Sequence, residues 1–206
     1  MEQEVLVLDG GPLSGPQVVA VARSKCSVEI GPVAIDLMQS AQDVVHAVAT
    51  SGKATYGINT GFGALSTTRI DHDKLTELQM NILRSHAAGV GEPLDEEIVR
   101  GMMVLLAASL CRGMSGSRPE VAQRLAEMLN KGVTPVVPSR GSVGASGDLA
   151  PLAHLALVLC GEGEATYGEQ TMAGKDAMDE AGITPIIPIE KEGLALINGT
   201  HMMASI

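Results

Sequence analysis

Aromatic side chains are almost missing from this 206-residue chain, which has two tyrosines, one phenylalanine and no tryptophan. Since 45% of the residues are nonetheless hydrophobic, the core has to be aliphatic, with 11 methionines to fill its irregular gaps. Cysteine is scarce as well. Cys26, Cys111 and Cys160 are odd in number, widely spaced and without a Cys-x-x-Cys pair. That excludes a disulfide framework and a zinc ribbon, and fits buried free thiols in a reducing compartment. The five histidines are scattered with no His-x-x-x-His spacing, so no metal site is expected. Basic clusters are absent too: 14 Lys and Arg stand against 24 Asp and Glu, for a net charge of −10. Nucleic acid is therefore not an expected partner. No apolar run approaches the ~20 residues needed to cross a bilayer, so no membrane partner is expected. The opening Met-Glu-Gln-Glu lacks the basic stretch of a secretory leader, and the expected location is cytoplasmic.

What is present is concentrated in a few short stretches. The first is Gly141-Ser142-Val143-Gly144-Ala145-Ser146-Gly147-Asp148-Leu149-Ala150-Pro151. Four small residues in a row, Gly144 to Gly147, favour neither helix nor strand and leave the backbone open to unusual geometry. In a tight bend the amide nitrogen of Gly147 can attack the carbonyl carbon of Ala145 and close a five-membered ring. Loss of one water from the ring, and of the Ser146 hydroxyl as a second water, leaves a methylene conjugated to an imidazolone. Gly147 has no Cβ to shield its nitrogen, Ser146 carries the leaving hydroxyl, Ala145 tolerates compression, and Asp148 is placed to take a proton. The plain alternative is a Gly/Ser turn with Asp148 as N-cap of a helix over Leu149–Leu159.

A second stretch, Tyr56-Gly57-Ile58-Asn59-Thr60-Gly61-Phe62-Gly63, holds two of the three aromatics. It lacks the Gly-Lys-Ser/Thr ending of a phosphate-binding loop and has the wrong spacing for a dinucleotide fingerprint. A mobile active-site lid presenting Tyr56 accounts for both the glycines and the phenol. The third stretch is Leu83-Arg84-Ser85-His86-Ala87-Ala88-Gly89. A histidine at a helix C-terminus serves the helix dipole, which by itself accounts for His86. The fourth is Leu196-Ile197-Asn198-Gly199-Thr200-His201, which alone would read as a sequon or a helix cap.

Between these stretches the pattern is mainly α with a few short strands. Strands are expected over Val5–Leu8 and Ser27–Ile30, and a short strand with a turn over Glu164–Glu169. Helices are expected from Ser14 to about Arg23, Ala34 to Thr50, Asp71 to about Ala88, Asp95 to Leu110 and Leu149 to Leu159. Ser117-Arg118-Pro119-Glu120 reads as a capping box starting a helix to about Asn130. His154 is expected only to pack or to hydrogen-bond locally.

Taken in order, the four stretches resemble those of the histidine and aromatic amino acid ammonia-lyases, along the whole chain. The resemblance implies a prosthetic group, 4-methylidene-imidazol-5-one, made by the protein from Ala145, Ser146 and Gly147 with no external cofactor. It implies that Tyr56 is a catalytic acid/base, that Ser85 and His86 contact the substrate side chain, and that Asn198 helps to hold the prosthetic group and the substrate carboxylate. The Ser85-His86 pair is similar to the histidine-specific form, where phenylalanine and tyrosine enzymes carry Phe-Leu or His-Leu. The implied reaction is elimination of ammonia from L-histidine to trans-urocanate. Phenylalanine or tyrosine elimination, an aminomutase, or a non-catalytic assembly domain are the alternatives. Family members are considerably longer. Residues 1–206 therefore correspond to a single amino-terminal domain of that architecture, with the central helical bundle starting near 198–206. The carboxy-terminal bundle, which brings a carboxylate-binding arginine and a glutamate, is missing. The resemblance also implies a homotetramer with shared active sites, and an isolated fragment that is inactive.

Overall fold

The computed structural model describes residues 5–51, 54–61, 70, 74–143 and 147–206. The first strand, β1 (Val5–Leu8), pairs in parallel with β2 (Ser27–Ile30), and helix α1 (Gly15–Ser24) makes the crossover. Ser14 is the N-cap of α1, and the Gln17 side chain accepts the Ser14 amide at 2.9 Å. Two longer helices follow, α2 (Pro32–Thr50) and α3 (Leu75–His86). The expected helix start at Asp71 lies outside the described residues.

Strand β3 (Val90–Pro93) then leads into α4 (Glu96–Leu110) and α5 (Pro119–Lys131). Helix α4 is the centre of the molecule. It buries Val99, Met102, Met103, Val104, Leu106, Ala107 and Leu110, and packs against α1, α5 and the short helix α9 (His201–Ser205). A helix apolar around most of its circumference has to be enclosed in this way. Its buried charge, Arg100, is 1% exposed and forms no ion pair among the described residues. The guanidinium instead donates to Val21 O at 2.9 Å and Leu129 O at 3.0 Å. Those carbonyls lie in the last turns of α1 and α5, where unsatisfied acceptors and the negative dipole ends favour a cation.

The capping box expected at Ser117 is not what forms. Arg118 is the N-cap of α5, and the Ser117 hydroxyl is buried without a hydrogen-bond partner among the described residues. The Arg118 amide donates to the fully buried Glu192 carboxylate at 2.9 Å, and its guanidinium pairs with the same group at 2.9 Å. A long-range acid therefore supplies the cap that a local hydroxyl was expected to give. Glu192 opens α8 (Glu192–Ile197), which ties the chain's late helices to its middle.

The rest is compact framing. Strands β4 (Thr134–Pro135), β6 (Glu164–Tyr167) and β7 (Gln170–Ala173) form a three-stranded antiparallel sheet in the order β4-β6-β7, and β3 pairs antiparallel with β5 (Pro138–Arg140). Helix α7 (Gly174–Glu180) follows β7. Helix α6 (Leu149–Leu159) is nearly all aliphatic and packs against α3, α8 and α9, the elements that carry the stretches singled out above. Sequence reasoning missed β3 and α8. Each is short, and each owes its place to a distant partner. Among the described residues no helix is long and apolar enough to cross a membrane.

Candidate functional site

The site is built where the end of the glycine-rich run meets the Asn-Gly-Thr segment. Ala145 and Ser146 lie outside the described residues; Gly147 and Asp148 do not. Gly147 has φ of 137°, in the region that favours glycine. A Cβ there would stand 2.5 Å from the carbonyl oxygen of Gly199. The Asp148 amide donates to that same oxygen at 2.7 Å. Two backbones thus touch directly, because neither partner has a side chain to keep them apart.

Asp148 is 1% exposed. It occupies the N-cap position of α6, but its side chain does not cap that helix. One carboxylate oxygen accepts the Ser142 hydroxyl at 2.8 Å and the other accepts the Met203 amide at 3.0 Å. The carboxylate thereby caps the first turn of α9 and ties it to the entry of the signature. Neither the plain capping reading nor a lone proton acceptor describes it fully. Asp148 is foremost the anchor that fixes both legs of the loop.

His201 was given no role from sequence, yet it stands inside this junction. Its ring lies over Gly199, with Nδ1 2.6 Å from where a Cβ on Gly199 would be, and that nitrogen is buried without a hydrogen-bond partner among the described residues. Burial pushes the His201 pKa down, and the Asp148 carboxylate opposes this in part. The only sequence signal was its place directly after Asn-Gly-Thr.

Ser85 and His86 end α3. The Ser85 hydroxyl donates to Ile82 O at 3.0 Å, and His86 Nδ1 lies 2.8 Å from the same carbonyl. A carbonyl only accepts, so Nδ1 carries a proton. The helix-end role and the binding role thus fall to different nitrogens of one ring. Nε2 makes no hydrogen bond among the described residues, and the ring is half-buried.

Asn198 is the C-cap of α8 and is exposed, one residue before Gly199. It therefore arrives at the same junction. Tyr56 is 59% exposed, in the turn 56–59. That turn is anchored on a small separate cluster of Val45, Ala49 and Ile58. Buried Asn59 holds it, accepting the Thr55 amide at 2.7 Å. The rest of the expected lid, from Phe62 onward, lies outside the described residues. The described contacts bring Gly147, Asp148, Asn198 and the His86 helix together around α6, while the turn that carries Tyr56 rests on the separate cluster of Val45, Ala49 and Ile58.

Burial pushes the Cys111 thiol up to about 11 and the Cys160 thiol up to about 12, which disfavours the thiolate at both.

This chain belongs to the aromatic amino acid lyase family, whose model matches residues 13–206. Among curated relatives, the histidine ammonia-lyase of Alkaliphilus metalliredigens is 49% identical over 199 residues, which are 97% of this chain and 39% of the relative. That of Gloeobacter violaceus is 51% identical over 201 residues, which are 98% of this chain and 39% of the relative. Among solved structures, histidine ammonia-lyase from Trypanosoma cruzi superimposes with a TM-score of 0.91 at 38% identity, covering 98% of this chain and 40% of that one. An ergothionase from Treponema denticola gives 0.94 at 30% identity, with 98% and 40% covered. The chain thus spans about two fifths of the length of the relatives it matches, and it has the mainly helical lyase and aminomutase fold.

Proposed function

We propose that this chain is the amino-terminal domain of a histidine ammonia-lyase, converting L-histidine to trans-urocanate and ammonia. In this reading residues 198–206 open the central bundle, and a further carboxy-terminal part supplies the arginine for the substrate carboxylate and a glutamate. The working assembly is a homotetramer in the cytoplasm. Identity of about one half to curated histidine ammonia-lyases supports the reaction. The observation that carries the substrate choice is His86, whose Nδ1 is engaged with Ile82 O while Nε2 makes no hydrogen bond among the described residues. In the neutral ring Nε2 can accept the ring N–H of a histidine substrate, which a phenyl ring does not have.

The residues at the described edge of the loop fit a ring made from Ala145, Ser146 and Gly147. Gly147 is held in a glycine-only conformation against the Gly199 backbone, and Asp148 is clamped on both sides. Once formed, 4-methylidene-imidazol-5-one supplies an electrophile for the substrate amine. The other tasks belong to ordinary side chains. Tyr56 takes the β-proton, Asn198 orients the substrate carboxylate, and Ser85 with His86 seats the side chain. Anchoring of Asp148 to Ser142 and Met203 keeps the loop from drifting as the ring closes.

The test is the ratio of catalytic efficiencies on histidine and phenylalanine in the complete protein, before and after replacing Ser85-His86 by Phe-Leu. The wild type should prefer histidine, because phenylalanine would leave Nε2 unpaired at a cost of roughly 1–3 kcal/mol, about tenfold to a hundredfold in the ratio. The double variant should shift the ratio toward phenylalanine. Tyr56→Phe, assayed alongside, should lower turnover by about 10² or more. A wild type that prefers phenylalanine or tyrosine would overturn the substrate. A protein that acts on none of them would favour the assembly-domain reading.

A further inference from the structure

We infer that His154 is a positioning residue, which holds the substrate side-chain station of Ser85 and His86 in register with the signature loop. The inference rests on the role proposed above for those two residues. His154 lies in the second turn of α6, the helix that begins directly after Asp148. Its Nε2 accepts the backbone amide of Gly89 at 3.1 Å. Gly89 stands three residues beyond His86, in the link between α3 and β3. One hydrogen bond therefore joins the end of the substrate-facing helix to the helix that carries the prosthetic-group loop.

The packing around that bond is as close as the bond itself. A Cβ on Gly89 would stand 3.1 Å from His154 Nε2 and 3.3 Å from Pro138 Cβ. A Cβ on Gly141, the first residue of the signature, would stand 3.1 Å from Gly89 Cα and 3.1 Å from Ala150 Cβ. Three segments meet closely here: the link after His86, the strand end entering the signature, and α6. The imidazole joins the link to α6, beside the β3–β5 pairing that joins the following strand to the signature's entry, and because Nε2 accepts, the neutral ring carries its proton on Nδ1. A shift of the link relative to α6 would move His86 relative to the reacting amine. A displacement near 1 Å at such a distance from the chemistry can cost about 10² in rate.

The experiment compares His154→Leu, His154→Asn and His154→Gln in the complete protein. Leu removes the acceptor. Asn keeps a polar side chain but falls short of Gly89. Gln places its carbonyl oxygen near the position of Nε2. The first readout needs no substrate: hydrogen exchange at the Gly89 amide should be about tenfold faster in the Leu and Asn variants and near wild type in Gln. The second is kinetic: kcat/KM for histidine should fall about tenfold or more in Leu and Asn, with recovery in Gln and with the prosthetic group still formed by peptide mass. Unchanged kinetics in Leu or Asn, despite lost amide protection, would overturn the inference. So would an equal loss in all three variants, which would point to the ring's bulk and not to the bond. If the wild type fails to use histidine, the substrate reading fails; intact exchange behaviour would then assign the bond a structural role only, which likewise overturns the inference.

Discussion

The body around α4 and the junction around Gly147 are built by opposite means. The body fills space with large aliphatic side chains, and its buried Arg100 joins helix ends. The junction leaves side chains out. There Gly147 meets the Gly199 backbone directly, Gly89 lies against the His154 ring, and polar groups from distant segments converge on Asp148. Side-chain packing tolerates exchange of similar volumes, whereas backbone-to-backbone contact tolerates no added atom. Stability and chemistry are therefore expected to answer to different substitutions.

The sharpest way to separate them is Gly147→Ala. The methyl would press on Gly199 O, in a backbone conformation that alanine rarely adopts, at a cost of about 1–3 kcal/mol in strain alone. The fold should survive and the chemistry should not. In the wild type, peptide mass mapping across Ser142 to Asp148 should show loss of two waters. The alanine variant should show none and no turnover. An active variant would mean that the junction is looser than its geometry requires.

Arg100→Met should do the reverse. The buried carbonyls at the ends of α1 and α5 lose their donor, which should destabilise the protein by about 3 kcal/mol. For a chain of this size that is a fall in Tm of about 6–12 °C. Activity measured well below the transition should stay near wild type. A large loss of turnover at low temperature would show that the two regions are coupled.

Acid gives the smallest effect and probes the junction alone. Burial pushes the pKa values of His154 and His201 below the ordinary imidazole value of 6.5. The unfolded chain then binds protons at these residues before the native one does. Their contribution to stability is present above about pH 6.5 and is lost as pH falls through the lower native values. Urea denaturation between pH 7 and pH 5 should show this decline, and His154→Gln should make it shallower. An identical slope in the variant would exclude His154 as a source.

Much of the architecture was legible because it rests on local rules. The strand boundaries Val5–Leu8 and Ser27–Ile30 and the helix Leu149–Leu159 follow from alternation, helical periodicity and punctuation, and the structure has them at those bounds. The cap of α5 was not legible, because Glu192 reaches Arg118 from far along the chain and displaces the local candidate Ser117. Likewise β3 is a strand only because β5 lies beside it.

The candidate site divides along the same line. The residue types at Tyr56, Ser85, His86, Gly147, Asp148 and Asn198 were visible in the sequence, since ring closure, proton transfer and imidazole recognition each demand particular atoms. The partners of those atoms were not visible. That Asp148 binds Ser142 and the first turn of α9, that His201 lies over Gly199, and that His154 holds Gly89 are contacts between segments up to 65 residues apart. Composition and short-range order determined which chemistry the chain carries and which elements bear it. Only the tertiary structure decided which backbone stands against which, because close approach depends on two absent side chains meeting, and neither absence announces its partner.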